Sequence, residues 1–442
     1  MANQPFGFRE ALTNESTRLT VLTVLLTCWG AKALPSQDDL FGTLTAVTSA
    51  QVVQAVLARN AAIPAKEASW EVAKARVEQD ESLSDPRFSY NAAPQTIATN
   101  GVDFGQRIML SQSLPWPGKL GLRGRIARLE VKAAGEGIEQ VRLRLTEAAK
   151  AHYADWYFVH AALRINGINK GLLQEFQNIA EIKYSTGTTG KQDALRAEVE
   201  LVLLEHHDIV LESRRRDVLA ELNILLQRQP DLPLPLPARL PDIVKLPTAA
   251  RLRELAVVNH PELQGLTAKI HASREREQLA ERNFYPDINL NLGYNTLWNQ
   301  HEKRFTVGAE LNIPIGRKLH AAKREASSQT ARLNFEQELK VSQIAGAVQR
   351  AYERVRESEL FIHLFRDRLL PLADENLEAA RAAYDAGSGD FLDLLGAEKN
   401  LMQTQLQLEQ ALANYFQQVA QLEYASGGPI MSDTGLLEGR EG

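Results

Sequence analysis

The chain has 442 residues, 24% of them charged and 44% apolar, with 50 Lys+Arg against 55 Asp+Glu for a net charge of −5. That balance excludes a disordered chain, a collagen-like rod and a polytopic helical membrane protein, and it lacks the basic excess of a nucleic-acid binder. The single cysteine, Cys28, excludes a disulfide framework and a cysteine-rich metal site.

The first feature in chain order is the uncharged run Leu19 to Cys28, which follows Arg18. It is too short to span a bilayer but has the length of a signal-peptide core. Ala31-Lys32-Ala33 supplies an A-x-A cleavage pattern, so residues 1–33 are expected to be a signal peptide. Leu25-Leu26-Thr27-Cys28 loosely resembles a lipobox, which makes Cys28 a candidate for lipidation and leaves two processing routes open. Beyond Cys28 no apolar run approaches the length of a membrane helix, so any crossing must use strands.

The mature sequence is written twice at an offset of 200. Asn60 faces His260, Pro86 faces Pro286, Tyr184 and Gly187 face Tyr384 and Gly387, and Asp193, Leu195, Ala197 and Glu198 face Asp393, Leu395, Ala397 and Glu398. Such an ordered set predicts a duplicated unit. Repeat 1 occupies 34–229, a proline-rich connector 230–250, repeat 2 251–428, and a flexible tail 429–442.

Each repeat reads as two strands followed by long helices. In repeat 2, Ile288, Leu290, Leu292 and Tyr294 alternate with Asp287, Asn289, Asn291 and Gly293, and alternation resumes from Phe305 to Ile313. Strands are expected at about 286–297 and 304–314, and at about 85–98 and 103–115 in repeat 1, where Pro94 interrupts the pattern. At about ten residues each, these strands suit a tilted crossing of a bilayer. No proline occurs from Gly118 to Gln229. Helices are expected over 119–184 and 191–229, and again over 318–386 and 390–424. Leu394, Leu401, Leu408, Tyr415 and Leu422 recur every seven residues, with Ala397, Thr404 and Ala411 three further on, which is a heptad seam.

Four strands cannot close a barrel, and an open sheet in lipid leaves its edges unpaired. Two copies give eight strands and a filled bore; three give twelve and room for a channel. The expected class is mainly α with a small β part.

The duplicated hairpin-plus-long-helix unit, the Tyr384-x-x-Gly387 turn followed by Leu392, Leu394 and Leu395, and the Leu370-Pro371-x-Ala373-x-x-Asn376-Leu377 stretch together resemble the TolC-like outer membrane efflux proteins. Ser113-Leu114-Pro115-Trp116-Pro117-Gly118-Lys119 is similar to the strand-to-helix junction of members paired with cobalt-zinc-cadmium or copper pumps. The resemblance implies a homotrimer in the outer membrane, a 12-stranded β-barrel continued by an α-helical barrel in the periplasm. It also implies a periplasmic adaptor and an inner-membrane RND-type pump as partners, and heavy-metal cations as cargo. Drug efflux, type I secretion and a non-pore periplasmic scaffold are the competing readings.

By the same resemblance, the turns holding Gly187, Gly190, Gly387 and Gly389 contact the adaptor, and Asp390 and Asp393 border the periplasmic aperture. The family's usual second aspartate is Gly396 here. Helix capping is the alternative for both aspartates. Lys119, Arg123, Arg125, Arg128 and Lys132, echoed by Arg317, Lys318, Lys323 and Arg324, read as a solvated basic face, with lining of the barrel rim or contact with anionic headgroups as the alternatives. His206-His207 point too far apart on a helix to share an ion. No nucleophile–base pair, phosphate loop or metal site is present in the pattern, and neither an enzyme nor a cofactor is expected.

Overall fold

Long helices here are built mainly from residues with high helix propensity. The computed structural model describes residues 40–42, 44–98, 103–243, 245–296 and 301–430, and from Leu44 onward they form one unit. The signal peptide, Cys28 and most of the tail lie outside the described residues.

In chain order the elements are β1 (Ala46–Val47), α1 (Ser49–Arg59), α2 (Ala62–Glu81), β2 (Arg87–Ala93), β3 (Gly105–Leu114), α3 (Lys119–Ser185) and α4 (Lys191–Leu225). Then come β4 (Leu236–Pro237), α5 (Ala249–Asn259), α6 (Pro261–Arg282), β5 (Asp287–Asn295), β6 (Phe305–Asn312), α7 (Arg317–Leu364), α8 (Leu370–Asp385) and α9 (Phe391–Ser426). With 67 residues, α3 runs about 100 Å.

Several boundaries differ from the sequence reading. The first strand stops at Ala93, and Pro94–Ala98 is a 3₁₀ turn, because proline has no N–H to donate to a ladder. The helix expected over 318–386 is broken by a π turn at Phe365–Leu369 just before Pro371, where the ring needs space in the preceding turn. The helix expected to reach residue 229 ends at Leu225, with Gln227 at φ 54° in the turn that follows. Helices α1, α2, α5 and α6 have no counterpart in the sequence reading. Thr48 and Thr248 cap α1 and α5 with their side chains. Asn60 and His260, the pair matched at an offset of 200, both accept from the first turn of the next helix, His260 as its N-cap and Asn60 one residue before it. Ala62 N donates to Asn60 Oδ1 (3.0 Å), and Glu262 N donates to His260 Nδ1 (3.3 Å).

The elements stand in four columns. Helices α2, α3, α6 and α7 pack side by side in that order, and the strands that continue from them form a sheet in the order β2-β3-β5-β6, antiparallel throughout. On the other side the order is α4, α3, α9, then α7 and α8. Helices α3 and α7 therefore run through both helical layers. Among the described residues the apolar cores lie mainly between helices, and the heptad residues Leu394, Leu401, Tyr415 and Leu422 of α9 are all buried. Midway along α3, Tyr153 Oη donates to Val47 O (2.9 Å) and Ala238 O (3.0 Å), which ties the connector and its short β1–β4 pair to the helix.

Candidate functional site

Among the described residues no apolar core packs on either face of the sheet. Register sets Phe88, Leu110, Leu292 and Val307 in one row and Tyr90, Ile108, Tyr294 and Phe305 in the next. Ladder partners share a face, so these rows make one apolar surface across all four strands. It is exposed, with Val307 at 78% and Phe88 at 65%. The opposite surface carries Ser89, Asn91, Ser111, Asn289, Asn291, Asn295 and Glu310. A two-faced sheet of this kind is stable where one side meets hydrocarbon and the other water. Among the described residues no helix is long and apolar enough to cross a membrane.

The edges are open. Strands β2 and β6 each pair on one side only. Helix α4, an outermost column, exposes Leu195, Val199, Val202, Ile209 and Val210; α7, the outermost column opposite, exposes Phe335, Leu339 and Leu360.

Where sheet meets helices, Lys119 is not part of a solvated face as the sequence reading had it. It is 2% exposed, and its Nζ donates to Asp287 Oδ1 (2.8 Å) and Tyr285 O (2.9 Å). Trp116 N donates to the same Asp287 oxygen (2.8 Å), and the Trp116 and Tyr285 rings stack at 5.4 Å. The junction motif thus closes a polar cluster across 168 residues. Elsewhere in the basic run, Arg125 pairs with Glu275 and Arg128 with Glu81.

At the far end of the helices, two tight turns lie together. Gly187 (φ 76°) and Gly387 (φ 72°) both adopt the left-handed conformation that glycine permits without strain. Thr188 N returns to Lys183 O (2.9 Å) and Ser388 N to Ala383 O (3.0 Å), so the two turns close alike. Lys183 links them, donating to Tyr384 O with its Nζ 4.0 Å above the Tyr384 ring. Gly190 and Gly389 close the same two turns, Gly389 N returning to Ala383 O (3.0 Å). The two turn tyrosines differ: Tyr384 is 2% exposed and Tyr184 49%.

The structure separates the two candidate aspartates. Asp390 is the N-cap of α9, accepting from Leu392 N (3.3 Å). Asp393, one turn on, is exposed, and no hydrogen bond or ion pair of its carboxylate occurs among the described residues. Asp193 lies near Asp390: burial pushes its carboxyl up, Arg196 (3.7 Å) pulls it back, and the Asp390 charge pushes it up again. His206 and His207 are exposed with rings 6.0 Å apart, and among the described residues no group of three metal-ligating side chains exists.

Sequence reading missed Glu398. It is 1% exposed in the same helical tip, its Oε1 has no hydrogen-bond partner among the described residues, and burial with the nearby charge of Glu200 pushes its carboxyl up to about 7. Glu200 itself is held by Lys399 (2.6 Å).

A four-stranded sheet with one exposed apolar face continues here into long helices, none of which among the described residues is long and apolar enough to cross a membrane. Residues 252–428 match the family model described as outer membrane efflux protein. The chain is 23% identical over 360 residues to the toluene efflux pump outer membrane protein TtgF of Pseudomonas putida, covering 77% of this chain and 73% of TtgF. Identity is also 23% over 360 residues to the cation efflux system protein CusC of Escherichia coli, covering 76% and 74%. The solved structure of CusC superposes with a TM-score of 0.74 at 18% identity, over 90% of this chain and 97% of that one. The chain is thus similar to TolC-like outer membrane efflux proteins, in sequence most clearly over 252–428 and in fold over most of its length.

Proposed function

We infer that three copies of this chain form the exit duct of a tripartite efflux system, with twelve strands closing a barrel and twelve helical columns a tube. The observation that carries this reading is the four-column array. Strand β2, α2 and α4 bound one flank; β6, α7 and α8 bound the other. An open edge in lipid is untenable, and flanks of unlike composition join head to tail into a ring. The matched pairs at offset 200, alike in cap and turn geometry, support descent from a duplicated unit.

In this reading the paired glycine turns face the adaptor and the exposed Asp393 carboxylates surround the aperture, with Asp390 serving as a cap. The cargo is heavy-metal cations delivered by an inner-membrane pump. The junction from Ser113 to Lys119 and the likeness to a cation efflux protein support this class; the likeness to a toluene efflux protein supports the drug class instead. A heat-sensitive trimer in the outer membrane fraction is expected, and a soluble periplasmic monomer would establish the scaffold reading. Deleting the gene should lower tolerance to Co²⁺, Zn²⁺, Cd²⁺ or Cu⁺. Unchanged metal tolerance alongside lost solvent or detergent tolerance would move the cargo to the drug class.

A further inference from the structure

The four strands carry four charged side chains, all on the polar face: Arg87 on β2, Arg107 on β3, Asp287 on β5 and Glu310 on β6. The signs are segregated, positive on the first two strands and negative on the last two. Asp287 is matched by Lys119 at the junction, and the Arg107 guanidinium lies along its own strand against Met109 Sδ (3.9 Å). Arg87 and Glu310 are both exposed, on the two outermost strands, and no ion pair of either occurs among the described residues. Register puts Arg87 level with Ser111, Asn291 and Gly308, and Glu310 two residues nearer the helices. Within one chain they are three strand spacings apart, about 14 Å, and cannot meet.

We propose that at each subunit seam Glu310 of one copy and Arg87 of the next form an ion pair on the wet face of the barrel, which selects head-to-tail joining of β6 to β2 and fixes its register. The inference rests on the ring reading above. Joining β6 to β2 keeps the sheet antiparallel and continues the four columns without a break. It brings an acid and a base to neighbouring strands at heights differing by two residues, within reach of an arginine side chain. The alternative two-fold joinings put like against like: β6 on β6 opposes two glutamates, and β2 on β2 opposes two arginines. Like charges facing each other across a ladder are destabilising. The same side chains block indiscriminate edge pairing, since a charged edge strand rejects partners that do not compensate it. A one-residue slip would turn the pair to opposite faces and strand a charge in hydrocarbon, so the pair penalises misregistered assembly.

The test is a charge swap in the full chain. Glu310→Arg and Arg87→Glu are made singly and together, and the ratio of oligomer to monomer is read in detergent by light scattering and on unheated denaturing gels. Each single reversal should lower that ratio about tenfold at low salt and less at high salt, while the double swap returns it to near the wild-type value. Outer membrane fractionation separates assembly from insertion; single variants that fail to insert, with a double variant that does insert, count in favour. Singles indistinguishable from wild type, or a double no better than the singles, would overturn the seam pair while leaving the ring intact. A monomeric wild-type chain would overturn the ring and the seam together.

Discussion

Glu398 gives the sharpest quantitative expectation. Its carboxyl is raised from 4.5 to about 7 by burial first and by the Glu200 charge second, with Lys399 opposing. In the unfolded chain the proton leaves near pH 4.5; in the folded tip it leaves near 7. Between those values the folded state holds more protons, so stability falls as pH rises. The difference of about 2.5 pH units corresponds to about 3 kcal/mol of destabilisation, absent below about pH 4.5 and fully present above about pH 7. Glu398→Gln keeps the shape and removes the charge. Hydrogen exchange of the α9 amides from Leu394 to Met402, corrected for intrinsic rates, reads local opening without requiring two-state global unfolding. At about pH 8 the variant should be protected about a hundredfold more than wild type, and at about pH 4 the two should match. A protection ratio that does not change with pH would refute the reasoning. Glu200→Gln should move the wild-type transition to lower pH.

Three further expectations follow from the geometry. Asp287→Asn leaves Lys119 buried with only neutral partners and should destabilise by about 3 kcal/mol, whereas adding Lys119→Met should restore part of the loss; equal stability of single and double variants in thermal melts would argue that the pair is not coupled. Gly427→Ala places a methyl 2.7 Å from His260 Cα on a residue at φ 83° and should cost more than about 2 kcal/mol, while Gly137→Ala, with open space around it, should be neutral or stabilising by about 1 kcal/mol. Asp393→Ala should raise single-channel conductance and weaken block by cations, because it removes an exposed charge without removing the cap that Asp390 supplies; unchanged conductance and block would leave Asp393 without a role at the aperture.

How much of this was legible depended on where each side chain's partner lies. The strand alternation at Ile288 to Tyr294 was readable because one face meets a uniform apolar medium, and the heptad of α9 because its partners repeat with it. Helix α2 escaped because only Ile63 among its residues is buried, so it carries no apolar stripe. Its start was signalled instead by Asn60, and that of α1 by Thr48 with Gln51 three residues on, a capping box. Lys119 looked solvated because its partner Asp287 is 168 residues away. Glu398 carried no signal in the sequence beyond its match to Glu198 at an offset of 200. Only the packing of four helices at the tip shows that it has no route to water. The junction motif marked the right place, but its function there, closing a polar cluster between sheet and helices, came from the fold.

The column arrangement also bears on how the chain is made. The central ladder joins Arg107 to Asn295 and Leu114 to Ile288, so the two halves of the sheet are separated by all of α3, α4, α5 and α6. Closing so large a loop is entropically slow, and local helix pairing is fast. A chain threaded from its N-terminus must therefore hold β2 and β3 as an unpartnered apolar hairpin while about 170 more residues are delivered. For this protein, the most hazardous interval is the wait for its second half.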